Sequence, residues 1–71
     1  MTEKTAEAAA GEKLRDRERL FVREYLEDLN GTQAAIRAGY SPKHAASQAS
    51  RLLRKPEIRA YRDALLQEQF E

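Results

Sequence analysis

The chain has 71 residues, so it holds one domain at most, and a chain this short buries only about 60% of the surface it exposes when unfolded. Hydrophobic residues make up 41%, but 12 of them are alanine, which leaves enough bulk for a compact helical module and too little for a core plus a deep substrate pocket. The formal charge is +1, there is no cysteine and only one histidine, and no run of about 20 apolar residues exists. Disulfides, thiolate chemistry, histidine metal sites and membrane spans are thereby excluded, and the chain reads as a soluble intracellular binding module, not an enzyme.

The charge is unevenly distributed. Residues 30–62 carry seven basic side chains against the single acid Glu57, whereas residues 1–29 carry six bases and eight acids, and residues 63–71 carry three acids and no base. A strongly positive central span is the footprint of a polyanion binder. It is also compatible with a solvated face of a helical domain.

Residues 1–12 are mostly small and polar, and are expected to be a flexible N-terminal segment ahead of a domain at 13–71. A first helix is predicted from Lys13–Asp16 to Leu29, because Phe21/Val22, Tyr25/Leu26 and Leu29 recur at helical spacing while the charges fall mostly elsewhere. Asn30-Gly31 is expected to stop it in a left-handed turn, with Thr32 capping the next helix. That helix, TQAAIRA, is two turns long and must be held by packing, and its alanines allow close approach to a neighbour. Gly39 is expected to close it in the left-handed conformation, with Tyr40 as an apolar plug.

Ser41-Pro42 then reads as an N-cap and first turn of a third helix at 42–54. At about 100° per residue, Ala45, Ala46, Ala49, Leu52 and Leu53 gather on one side. His44, Ser47, Gln48, Arg51 and Lys55 gather on the other, with Lys43, Ser50 and Arg54 on the flanks. Lys55-Pro56 breaks the helix, and Pro56 opens a fourth with a stripe of Ile58, Tyr61 and Leu65. Leu66 and Phe70 continue the apolar character, and a terminal Phe suggests a longer parent protein or an oligomer contact.

The predicted fold is therefore all-α, a small four-helix domain with a central helix-turn-helix. Small residues let its two helices cross closely, glycine permits the turn, and the second helix is slim and polar outward, as entry into a major groove about 12 Å wide requires. Arginine and glutamine read guanine and adenine edges, and serine and lysine hold phosphates. The candidate DNA-binding residues are Lys43, His44, Ser47, Gln48, Arg51, Arg54 and Lys55. Arg37 and Arg51 each have two uses open to them, a DNA contact or a structural ion pair. Phe21, Tyr25 and Tyr40 read as core, not as base-stacking surfaces. Glu24 and Asp28 form an acidic pair, but with Arg23 and Arg37 nearby it reads as an ion-paired face and not as a metal site. No catalytic constellation, metal site or cofactor motif is present in the sequence.

The stretch RLFVREYLEDLNGTQAAIRAGYSPKHAASQASRLLRKPEIRAY resembles the N-terminal domain of the small subunit of tailed-phage terminases. Phe21, Val22, Glu24, Tyr25, Leu26, Asp28, Asn30, Thr32 to Ser41, Ser50 to Leu53 and Pro56 carry the resemblance, which covers about two-thirds of the chain. It implies recognition of the packaging start on double-stranded viral DNA, a terminase large subunit as partner, and a homo-oligomeric ring in a longer parent chain, in the cytoplasm of an infected bacterium. The start LRDRERLF lacks the Thr-Pro opening usual in the family, and the chain ends where the family continues into oligomerisation helices, so this piece is expected to be a monomer. Two rivals remain: a helix-turn-helix transcriptional regulator, and a helical protein-interaction or oligomerisation module built on Leu66 and Phe70.

Overall fold

The computed structural model describes residues 11–69, the side chain of Gln69 excepted, so most of the expected flexible segment, and Phe70, lie outside the described residues. The described residues form four helices: α1, Asp16–Asp28; α2, Gly31–Arg37; α3, Ala45–Arg54; and α4, Pro56–Gln69. Among them there is no strand, and no helix is long and apolar enough to cross a membrane. The architecture is the predicted all-α domain with a helix-turn-helix at α2–α3.

The core forms from the stripes expected of α1 and α4, except that Leu29, counted in the first, is 66% exposed at the left-handed end of α1. Phe21 and Val22 of α1 and Ile58 and Tyr61 of α4 are fully buried, with Leu14, Leu52 and Leu65 around them. Tyr25 is half-buried, its ring stacked 6.0 Å from that of Phe21, so these aromatic rings are spent on packing. Burying such large side chains stabilises by about 1.5–3 kcal/mol each, which is how so short a chain holds a fold. The packing reaches back to Gly11, which is buried beneath Tyr61 and Arg19 and whose carbonyl accepts hydrogen bonds from Leu14 N (3.1 Å) and Arg19 Nη1 (2.8 Å).

The second layer is built from small residues. Ala34, Ala35 and Ala38, at the end of α2, face Ala45 and Ala49 of α3, all buried. With no side chain beyond Cβ, α2 and α3 come close enough for backbone and Cβ atoms to make the contact. Gly31 marks the limit: a Cβ there would stand 3.2 Å from the Cβ of Ala49 and 3.5 Å from Leu53 Cδ1.

Two junctions differ from the sequence reading. Leu29, not Asn30 or Gly31, takes the left-handed conformation that ends α1 (φ 59°, ψ 25°), its N–H donating to Tyr25 O at 2.7 Å. Asn30, not Thr32, caps α2, its side chain accepting from Gln33 N at 3.1 Å. The reason is economy of space: Asn30 is needed as an acceptor for α2, so the left-handed position falls one residue earlier. Gly31 is then helical, and its missing side chain serves close approach and not turn freedom.

The third helix also starts later than the Ser41-Pro42 signal. Residues 42–44 form a turn, with His44 N donating to Ser41 O at 3.0 Å, and His44 is the N-cap residue of α3. Ala46, assigned to the apolar side, is exposed, because α3 buries only the narrow arc of Ala45, Ala49 and Leu52, with Leu53 half-buried at its edge. Gly39 does occupy the left-handed region (φ 102°), and Tyr40 follows it half-buried against the core.

Leu52 is the one large side chain that α3 buries fully, at 3% exposure. Leu52→Ala is expected to destabilise the domain by about 2–5 kcal/mol, read as a lowered midpoint of chemical or thermal unfolding.

Candidate nucleic-acid interface

The α2–α3 pair is held against α1 by polar contacts at its rim. Arg37, at the end of α2, donates from Nε to Glu24 Oε1 (2.7 Å) and from Nη2 to Glu24 O (3.2 Å) and Asp28 Oδ1 (3.3 Å). The open choice at Arg37 thus falls to a structural fork: its guanidinium spans one turn of α1 and offsets part of the charge of the Glu24/Asp28 pair. At the other end of α3, Lys55 Nζ donates to Glu18 Oε2 at 3.2 Å, joining residues 37 apart in sequence.

The remaining candidate residues lie along α3. His44 and Lys43 are exposed at its start, Ser47 and Arg51 are exposed one turn apart, and Gln48 is half-buried between them. Ser47 Oγ donates to His44 O at 3.0 Å, which leaves its oxygen lone pairs outward. Arg54 is exposed near the C-terminal end, where its own carbonyl accepts from Arg59 Nη2 at 3.2 Å. Among the described residues the Arg51 side chain makes no ion pair and no hydrogen bond, so the structural ion pair open to it in the sequence does not form. The structure therefore presents Ser47, Gln48 and Arg51 as one outward strip, backed by the buried Ala45, Ala49 and Leu52.

The polar strip forms one wall of a groove of about 510 Å³ that the sequence did not reveal. Gln48, Arg51 and Lys55 line one side, and Arg15 and Arg17, from the start of α1, line the other. Arg17 lies over the ring of Tyr40, 5.2 Å from its centroid. Arg15 and Arg17 fall in a segment of mixed charge where local periodicity gives no hint of what lies opposite, more than 30 residues further along.

Glu18 is the groove's single acid. Its side chain is only 13% exposed. Burial alone would raise its pKa, but the backbone N–H of Arg15 (3.0 Å) and the Lys55 ammonium outweigh that and hold the carboxyl below its ordinary 4.5. Among the described residues no group of three or more His, Cys, Asp or Glu is placed to hold a metal ion.

The sequence of this chain has counterparts. A family model described as "Terminase small subunit" matches residues 14–71. The chain belongs to the terminase small subunit family. It is 41% identical over 63 residues to the PBSX phage terminase small subunit of Bacillus subtilis (strain 168), covering 83% of this chain and 24% of that protein. It is 46% identical over 57 residues to the terminase small subunit of Bacillus phage SF6, covering 79% of this chain and 39% of that protein. With the terminase small subunit of Staphylococcus phage 80alpha it shares 45% identity over 49 residues, 68% of this chain and 34% of that protein. The chain thus spans between a quarter and two-fifths of the length of these terminase relatives. No solved structure gives a significant match.

The Glu18–Lys55 bridge sets a pH dependence. Glu18 has a lower pKa folded than unfolded, so the unfolded chain binds its proton first as pH falls. The stabilisation is complete well above 4.5 and is lost as pH drops through the folded value. The melting-temperature gap between the parent chain and Glu18→Gln is therefore expected to be widest near neutral pH and to close on acidification below 4.5, followed by circular dichroism.

Proposed function

We propose that this domain binds double-stranded DNA through the outward face of α3, and that in the terminase small subunit it recognises the packaging site on viral DNA for the terminase large subunit. The role is non-catalytic and is exercised in the cytoplasm of the infected host cell. The observation that carries the reading is Arg51: an exposed guanidinium without an internal ion pair, beside Gln48 and Ser47, on a helix whose other face is buried. In the last turn of α3 a cation gains the modest stabilisation of the helix dipole, but that gain does not call for donors turned outward beside Gln48 and Ser47. A helix that enters a major groove needs donors of this kind at the centre of its outer face.

His44 and Lys43 stand where α3 begins, and Arg54 and Lys55 where it ends, so the helix carries phosphate-binding groups at both ends of a central reading strip. Phosphate contacts fix the register, and base-edge contacts give selectivity. One small module binds weakly alone; a ring of copies in the longer protein raises the effective concentration of each.

Fluorescence anisotropy with labelled duplexes tests this. With four or five phosphates engaged, the log–log salt slope is expected to be roughly −4, and a flat salt response overturns the reading. A transcriptional regulator would prefer promoter DNA to packaging-region DNA, and an oligomerisation module would form a concentration-dependent oligomer and bind neither. Arg51→Ala is expected to leave the melting temperature unchanged and to weaken binding. If Arg51 contacts a guanine edge the loss is about 1–3 kcal/mol with relaxed selectivity at one base position; if it contacts a phosphate, the loss is uniform and the slope falls by about one.

A further inference from the structure

Some basic side chains of this domain are matched by acids within the fold, and others, Lys43, Arg54 and Arg59 on the surface among them, are not. Arg19 pairs with Asp16, Arg37 with Glu24 and Asp28, and Arg62 with Asp63. These guanidinium groups are neutralised within the fold. Arg15, Arg17 and Arg51 form no ion pair among the described residues, and all three line the groove between the start of α1 and α3. Lys55 lies in the same groove, and the only acid there, Glu18, already accepts from Arg15 N and Lys55 Nζ. Four cations against one engaged carboxylate make a site whose counter-charge must come from outside.

We propose that Arg15 and Arg17 form a second wall of the DNA site, holding the phosphate backbone of the same duplex that α3 addresses. The proposal rests on the DNA reading of α3 above and extends the contact surface from one helix to two. Cations stand along both walls, Arg15 and Arg17 on one and Arg51 and Lys55 on the other, an arrangement that suits a strand of successive phosphates better than a single small anion. Arg17 is held in position before any ligand arrives. Its guanidinium packs over Tyr40, and its Nε lies 3.8 Å from where a Cβ on Gly39 would stand, so it rides on the turn that aims α3. Stacking uses one face of the guanidinium and leaves its edge N–H donors free for phosphate oxygens.

The test compares the parent chain, Arg51→Ala, the double variant Arg15→Gln/Arg17→Gln and the double variant Arg15→Lys/Arg17→Lys, on a packaging-region duplex and an unrelated duplex across a salt series, with melting temperatures throughout. The glutamine pair is expected to weaken both duplexes by the same factor, of the order of tenfold per arginine at about 0.1 M salt. Its salt slope is expected to be shallower by about two, with the melting temperature lowered by no more than loss of the Arg17–Tyr40 contact accounts for. The lysine pair keeps the charge and should retain most of the slope, which separates a phosphate contact from a packing role. If the glutamine pair binds as the parent does while Arg51→Ala is weakened, the second wall is overturned and the α3 reading stands. Loss confined to one duplex would mean a base contact and overturns the backbone assignment. If polyglutamate binds as tightly as duplex DNA at equal ionic strength, the groove is a site for acidic protein segments and the proposal is wrong. A parent chain that binds neither duplex overturns both readings.

Discussion

The rest of this domain depends on the close approach of α2 and α3. Seven residues cannot sustain a helix alone, so α2 depends on its packing, with its alanines in the shared core beside those of α3 and Arg37 tied to α1. Contact between small side chains gains little area per residue, and it works only if the backbones come very near. That requirement fixes glycine at 31, small residues at 34, 35, 38, 45 and 49, and a turn at Gly39 that reverses the chain without adding bulk. The larger apolar residues of α1 and α4 then close over this slim pair. Leu52 is the one large side chain that α3 buries fully, beside Ala45 and Ala49, so the helix is anchored along a narrow arc and free along its other face.

Much of this was readable in the sequence because it is local. The 21/22–25/26 stripe of α1, the Ile58–Tyr61–Leu65 stripe of α4, the break at Pro56 and the left-handed Gly39 each follow from residue type at a fixed spacing. The junctions were less legible because two jobs competed for the same residues. Asn30 suits both a left-handed closure and an N-cap, and only the position of α2 decides between them. Ser41-Pro42 has the composition of a helix start, yet α3 begins at Ala45. Ala46 shows the limit of small residues as burial signals: alanine fits either side of a helix, and here it is outside.

For the candidate interface, the α3 strip was legible and the groove was not. Ser47, Gln48 and Arg51 belong to one helix, where angle per residue suffices. Arg15 and Arg17 reach the same groove from more than 30 residues away, through the packing of α1 against the rest, and no local pattern encodes that distance. The ambiguity at Arg37 was likewise tertiary. A basic residue at a helix end becomes a brace or a ligand contact according to whether a carboxylate stands opposite, and for Arg37 two do.

The bridge between Lys55 and Glu18 has one more consequence. A free lysine side chain samples many rotamers, and confining it costs up to about 2 kcal/mol when it meets a ligand. Here the confinement is already met by the fold, because one of the three ammonium N–H groups is held by Glu18 at the edge of the groove. Two donors remain, on a head whose position is set. An arriving anion would find that cation pre-organised instead of having to order it, and would have to share it with the carboxylate without displacing it. The bridge therefore trades part of a positive charge for a smaller entropic loss on association, an exchange that a bare lysine on the same helix could not make.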